Sequence, residues 1–336
     1  MCTTQVNLAE HISREAIDRA REAISGVALR TPLVAAPALA ARSGREVRLK
    51  LETAQPIGAF KIRGAANALA NLDAAARASG VACSSTGNHG RAIAYAAARH
   101  GVQATIVMSS LVPENKVAAI RALGAEVRIV GRSQDDAQRE VDRLVAENGV
   151  TDIPPFDHPD VIAGQGTIGL ELIEDFPGLD TVIVPLSGGG LIAGIAAAIK
   201  ALAPATQVVG VSMENGAAMK ASLDAGVPVD VAEEPTLADS LGGGIGLANR
   251  WTFAMVRDLV DDVVLVAEEE IAAAMRALFF EEGWVAEGGG AIGVALLKAP
   301  HLDLLGPRVA VVISGKNIDM RRFHAIVGDR VAPGAS

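Results

Sequence analysis

Four short stretches hold residues whose types and spacing could do chemistry. The first is QPIGAFKIRGA at 55–65, where Pro56 and Gly58 make a turn and Lys61 follows at once. Ala59 to Leu72 reads as a helix, so Lys61 stands at its start. A helix N-terminus carries partial positive charge and disfavours a lysine, although a surface lysine tolerates that small cost. Lys61 is therefore either a solvated side chain or an amine in a partly dry, electropositive site. In the second case its pKa falls and it becomes a nucleophile. The second stretch, SSTGNHG at 84–90, gathers hydroxyls, an amide and an imidazole into one turn before a helix. N-capping explains one such residue more readily than five.

The third stretch is PLSGGGLIAG at 185–194. Consecutive glycines between a strand and a helix let backbone N–H groups converge on an anion; a tight turn that needs glycine is the other reading. The spacing is not G-x-G-x-x-G and no Gly-Lys-Ser/Thr follows, so a phosphate monoester suits the loop better than a dinucleotide or nucleoside triphosphate. The fourth stretch is VVISGKNID at 311–319, where Ser314 ends an apolar strand and, taken alone, is simply a strand end.

These stretches fall where strands hand over to helices. After an N-terminal helix at about 8–25, strands are predicted at 46–52, 81–86, 104–109, 126–131, 180–187, 207–213, 260–266 and 308–314. Ala-rich helices are predicted at 90–101, 113–125, 133–149 and 189–204. Apolar strands alternating with helices predict an α/β fold whose parallel sheets are covered on both faces by helices. In such folds ligands bind beyond the carboxyl ends of the strands, which makes the three turns at 84–90, 185–194 and 311–319 informative. The polar segment TDIPPFDHPD at 151–160 reads as a crossing between two α/β halves, and the closing VAPGAS as a frayed tail.

The totals narrow the function. The chain has 336 residues, half of them hydrophobic but only 3% aromatic, so the core is built from Ala, Val, Leu and Ile. A net charge of −9 with no basic stripe argues against a nucleic-acid partner. No apolar run is long enough for a membrane span, and the N-terminus lacks a signal-peptide pattern. Two cysteines, Cys2 and Cys83, suggest a reducing compartment, so a soluble cytoplasmic protein is expected.

Taken together, a lysine, a phosphate cradle, an Asn-containing turn and a hydroxyl are the contacts pyridoxal phosphate needs. With these motifs in place the chain resembles the fold-type II pyridoxal-phosphate enzymes of the tryptophan synthase β-like fold, and within them the serine/threonine dehydratase and serine racemase family. The likeness runs from RTPL (30–33) to SGKNID (314–319). It implies that Lys61 bonds the cofactor aldehyde, Phe60 lies beside the ring and Asn88 bonds the ring oxygen. Ser187, Gly188, Gly189, Gly190 and Leu191 would hold the phosphate, and Ser314 would meet the pyridine nitrogen. A serine there does not enforce a protonated ring, which makes a weaker electron sink and suits quick elimination. The resemblance also implies a discontinuous large domain (1–78 and 151–330), a small inserted domain (79–150) that closes over substrate, and a homodimer.

The same resemblance points to Ser85, Thr86, Gly87, His89, Asp239 and Glu287 around an amino-acid substrate. The substrate carboxylate is expected on the backbone amides of 85–89, and His89 is expected to be mostly structural. Thr86 stands where racemizing members have a serine opposite the lysine and is expected, with Lys61, to be catalytic: it can still donate a proton, but its stiffer side chain puts racemization in doubt. Ser187 replaces the first loop glycine, and Ser240 a glycine after Ala-Asp. Some relatives bind a divalent cation near the stretch matching MENGAAMKA (213–221). Glu214 is present, but Lys220 stands where a carboxylate is needed, so no metal is expected.

The implied reaction is loss of the β-hydroxyl from a β-hydroxy-α-amino acid, giving a keto acid and ammonia, with Lys61 moving the α-proton. STGNHGRA, LADSLGGGIG and SGKNID look most like the hydroxyectoine utilization branch. Intact hydroxyectoine has no free primary α-amine, so a ring-opened hydroxylated diaminobutyrate fits better, its second amine meeting Asp239 or Glu287. Threonine, serine and 3-hydroxyaspartate stay open, as do a racemase and a non-catalytic cofactor carrier.

Overall fold

A computed structural model describes residues 12–328 apart from 86 and 113. Cys2, Thr86 and the 331–336 tail therefore lie outside the described residues. Two sheets organise the chain. The larger has the strand order β1-β2-β10-β7-β8-β9, where β1 is Leu33–Ala35, β2 Glu46–Leu51, β7 Thr181–Pro185, β8 Gln207–Met213, β9 Asp262–Val266 and β10 Arg308–Ile313. The smaller has the order β5-β4-β3-β6, from β3 (Val81–Ser84), β4 (Ala104–Met108), β5 (Glu126–Ile129) and β6 (Thr151–Asp152). One sheet thus takes strands from both ends of the chain and the other from a continuous middle stretch, with β6 just past residue 150.

The pairings are parallel except at one edge. β10 runs parallel to β2, with Val309 opposite Val47, and to β7, with Val309 opposite Thr181. β1, which carries no separate signal in its RTPLVA context, pairs antiparallel to β2. The apolar runs behave as doubly buried strands must. In β10, Val309, Val311 and Ile313 enter one core cluster, while Ala310 and Val312 enter another on the opposite face. In β3, Val81 and Cys83 face one way and Ala82 the other. Burial raises the Cys83 thiol pKa well above its ordinary value, so this cysteine packs as a small apolar side chain.

Lys61–Ala70 forms the helix expected near the first stretch, and Asn88–His100, Gln134–Asn148 and Gly190–Leu202 follow the other motifs. A 17-residue helix, Pro159–Asp175, directly follows the crossing and packs against both Lys61–Ala70 and Gly190–Leu202. Close approach requires its glycines: a Cβ on Gly164 would lie 2.5 Å from Arg63 O, and one on Gly166 3.0 Å from Gly194 O. This helix is buried along most of its length, so it has no polar face to betray it in the sequence.

A buried charge network locks these helices to the large sheet. Arg63 bonds Glu52 through Nε and Nη2, and Glu171 through Nη1 at 2.6 Å and Nη2 at 2.9 Å. Lys50 Nζ reaches Glu171 at 2.5 Å and donates to Thr31 O at 2.7 Å. These two cations and two carboxylates are almost completely buried. Among the described residues, no helix is long and apolar enough to cross a membrane.

Candidate active site

The stretch around Lys61 and the stretch around Ser314 are zipped together by main chain. Phe60 N donates to Ser314 O at 3.0 Å, and Lys316 N to Gly58 O at 3.0 Å. Ala59 and Gly315 form an antiparallel bridge. Gly58 needs its positive φ of 75° for this turn, and a Cβ there would stand 2.9 Å from Asn317 Oδ1. Two segments that end different elements thus become one wall.

Lys61 takes the first helical position and is half-buried. Its Nζ donates to Pro155 O at 2.6 Å and lies 5.1 Å from the Phe60 ring centroid. Burial lowers its pKa to about 8, so a substantial fraction of the amine is neutral near physiological pH. Pro155 belongs to the crossing segment, and its neighbour Phe156 lies on the glycine loop. A Cβ on Gly188 would meet the Phe156 ring at 2.4 Å, and one on Gly190 would stand 2.9 Å from Phe156 O. Pro155 and Phe156 therefore connect the lysine to the loop. Nothing in TDIPPFDHPD signals this, because the contact depends on how the crossing folds back.

The loop opens the Gly190–Leu202 helix, with Gly189 as its N-cap at φ 90°. Ser187 is half-buried, and Gly188, Gly189, Gly190 and Leu191 are buried. The first N–H groups of a helix have no intrahelical acceptor, so this end is a ready anion site. Ser314 is buried, and among the described residues its hydroxyl has a single long contact, 3.5 Å to Gly289 O. A buried hydroxyl so weakly engaged has capacity for another partner. A half-buried amine, a helix-terminal glycine loop and a spare hydroxyl form a donor set that fits pyridoxal phosphate.

A second group of predicted residues lies on a cavity of about 940 Å³. Gly87, Asn88, Asp239 and Glu287 line it, whereas Lys61, Phe60, Ser314 and the 187–191 loop do not. Asn88 Nδ2 donates to Glu287 Oε1 at 2.8 Å, and Asn317 Nδ2 donates to Asn88 Oδ1 at 2.6 Å. Arg91 Nη1 donates to Asn317 Oδ1 at 3.0 Å. Burial raises the Glu287 pKa to about 7, against the pull of the Asn88 and Ser240 hydrogen bonds. Ser240, flagged by its replacement of a glycine, thus stands beside this carboxyl.

Three of the predicted residues are placed differently from these. His89 does not line the cavity: it is buried, with Nε2 2.7 Å from Ile153 O and Nδ1 without a partner among the described residues. Burial lowers its pKa to about 3, and the nearby Lys61 charge acts in the same direction, so it is neutral. Ser85 likewise does not line the cavity, and its carbonyl packs so close to Gly90 that a Cβ there would stand 2.3 Å from it. Asp239 lines the cavity but is exposed and already paired with Arg322 Nη1 at 3.0 Å. Lys220 reaches Asp224 one helical turn away, at 2.5 Å. Asn317 and Arg91 were missed as site residues, although one closes the SGKN motif and the other lies three residues beyond Asn88.

Comparison with known proteins points to the same cofactor. Residues 24–315 match the family described as "Pyridoxal-phosphate dependent enzyme". A putative threonine dehydratase of Sinorhizobium fredii is 57% identical over 96% of this chain and 97% of its own. Among solved structures, processed threonine deaminase isoform 2 from Solanum lycopersicum superimposes with a TM-score of 0.88 at 34% identity, covering 96% of this chain and 87% of that one. Maize serine racemase gives 0.87 at 33% identity, covering 93% and 96%.

Proposed function

The chain belongs to the pyridoxal-phosphate dependent enzymes, and as a lyase of that family we propose that it eliminates the β-hydroxyl of threonine or serine as water, after which hydrolysis of the enamine takes one water back up and releases ammonia, leaving a keto acid. The observation that carries this reading is the joining of the Lys61 turn to the Ser314 loop, through Phe60 N to Ser314 O.

Bound pyridoxal phosphate supplies an aldehyde that bonds amines and a ring that accepts electron density from the substrate α-carbon. The chain supplies the rest. Lys61, Phe60, Asn88 and Ser314 would flank the ring, and the N–H groups of 187–191 would hold the phosphate. Backbone N–H groups at the start of the Asn88–His100 helix would hold the substrate carboxylate. Lys61, with a pKa near 8, is neutral often enough to take the α-proton, and burial keeps bulk water from competing for that proton. A small domain at 79–150 closing over the substrate belongs to this proposal.

The hydroxyectoine reading needs a carboxylate for a second amine. Asp239 is engaged by Arg322, and Glu287 by Asn88, which favours threonine and serine over a diamino substrate. Likeness to maize serine racemase favours racemization as a second reading. Both are tested by one panel on the cofactor-loaded protein: L-threonine, L-serine and ring-opened hydroxyectoine, reading keto acid, ammonia and optical purity. Keto acid with equimolar ammonia is expected, with at least about 10³-fold loss in Lys61→Ala. Loss of optical purity without ammonia would make it a racemase.

A further inference from the structure

Hydroxide is a poor leaving group, so the β-oxygen must receive a proton as its bond to carbon breaks. Lys61 must be neutral to take the α-proton, so it has none to give at the same moment. Most ionisable groups on the cavity are unsuited to the task. Asp239 and Asp319 are exposed; the first pairs with Arg322, and the second accepts from the N–H groups of Arg321 and Arg322. Lys116 and Lys316 are exposed as well, and an arginine such as Arg91 does not release its proton.

Glu287 differs. It is 5% exposed, and among the described residues it is the one buried carboxyl on the cavity wall. Its backbone N donates to Gly315 O at 3.1 Å, and a Cβ on Gly315 would lie 2.5 Å from Oε1. Gly315 follows Ser314 and bridges Ala59, so the carboxyl rests on the wall that joins the Lys61 turn to the Ser314 loop. Oε1 accepts from Asn88 Nδ2 at 2.8 Å, which leaves Oε2 to carry the proton of the neutral acid. We infer that Glu287 is the general acid of the reaction, delivering a proton from Oε2 to the departing β-hydroxyl. The inference rests on the ammonia-lyase reading and adds its acid. Burial raises the Glu287 pKa to about 7, so the acid is half protonated near neutral pH; the Asp239 charge acts in the same direction, against Asn88, Ser240 and Lys116.

The step balances. The Cα–H bond breaks, its proton goes to Lys61, and its electron pair becomes the second Cα–Cβ bond. The Cβ–O bond breaks with its electrons on oxygen, which takes the Glu287 proton and leaves as water. Lys61 ends one proton richer and Glu287 one poorer, and exchange with solvent restores both. The released enamine takes up one water and expels ammonia, with no oxidant or reductant required.

L-Serine and β-chloro-L-alanine isolate this step, because both give pyruvate and ammonia but chloride departs without a proton. Initial rates of the cofactor-loaded enzyme are compared with those of Glu287→Gln. Glutamine keeps the size and an acceptor for Asn88 but has no acidic proton. The variant should lose about 10²-fold or more in kcat/KM for L-serine and less than about 3-fold for β-chloro-L-alanine. Its cofactor affinity, read by absorbance titration of the cofactor-free protein, should stay within about 3-fold of the parent. An equal fall on both substrates, or a matching loss of cofactor affinity, would overturn the inference, because Glu287 would then serve only to place Asn88. No fall on either would overturn it too and leave the ammonia-lyase reading standing. No keto acid from any β-hydroxy amino acid would remove both readings. In the unaltered enzyme the L-serine to β-chloro-L-alanine ratio of kcat/KM should itself drop as pH rises through about 7, since the need for neutral Lys61 is common to both and cancels. A ratio that stays flat across neutral pH would overturn the inference, so misfolding of Glu287→Gln cannot hide the answer.

Discussion

Asn317 Nδ2 donates to Asn88 Oδ1 across 2.6 Å, although 229 residues separate them in the chain. The same Nδ2 donates to Ile57 O at 2.8 Å, and Asn88 passes the polarity on to Glu287. Asn317 thereby sets which way the Asn88 amide faces, with its NH₂ toward Glu287. Asn317→Ala should lower kcat by about 10²-fold through loss of that orientation, with a smaller change in KM. Asn317→Asp, which keeps the shape but removes the donor, should behave alike. Steady-state kinetics together with the absorbance maximum of the bound cofactor would check this; an unmoved spectrum with full kcat would contradict it.

Lys61 differs from a surface lysine because burial holds its pKa near 8. In the cofactor-free protein its acylation by an amine-selective reagent should rise with pH around a midpoint near 8. Exposed lysines should still be gaining reactivity at about pH 10. Peptide mapping by mass spectrometry across a pH series separates the two classes. A Lys61 profile that tracks the surface lysines would show the amine to be well solvated.

Glu287 carries the opposite shift, from an ordinary 4.5 up to about 7, chiefly through burial. Its folded-state pKa lies above its unfolded value, so the proton it holds stabilises the fold. That contribution is complete below about 4.5 and disappears as pH rises through about 7. Glu287→Gln keeps a neutral group at every pH. The Tm of the cofactor-free variant relative to the parent should therefore climb from pH 5 to pH 8. A difference in Tm that stays constant over that range would show the carboxyl to be unshifted.

Arg63 holds two carboxylates in a site closed to water. Arg63→Met leaves Glu52 and Glu171 with Lys50 as their only remaining cation in the network. Breaking such a network should cost about 3–5 kcal/mol in denaturant unfolding. Because Arg63 lies two residues after Lys61 on one helix, cofactor affinity should fall as well. Arg63→Lys should recover only part of the loss, since one ammonium cannot replace a fork that meets two carboxylates. Full stability in Arg63→Met would mean that the network contributes no net energy.

Much of this protein is determined by local rules that act within a few residues. Apolar runs such as RVAVVI form buried strands, and the glycine series before LIAGIAAAIKAL opens a helix with bare N–H groups. The pairing of such motifs with one lysine already pointed to the cofactor. The tertiary structure alone decided which distant groups meet. Asn317 reaching Asn88, Pro155 accepting from Lys61, Phe156 lying on Gly188, and Arg91 donating to Asn317 are all long-range outcomes. The crossing segment and the Pro159–Asp175 helix set them, and neither carries a periodic signal: one is mostly loop between a two-residue strand and the helix, and the other is buried on most sides. Residue type and spacing declare what a side chain can do. Only packing decides its solvation and its partner, and through these the pKa of Lys61 and the charge balance of the cavity.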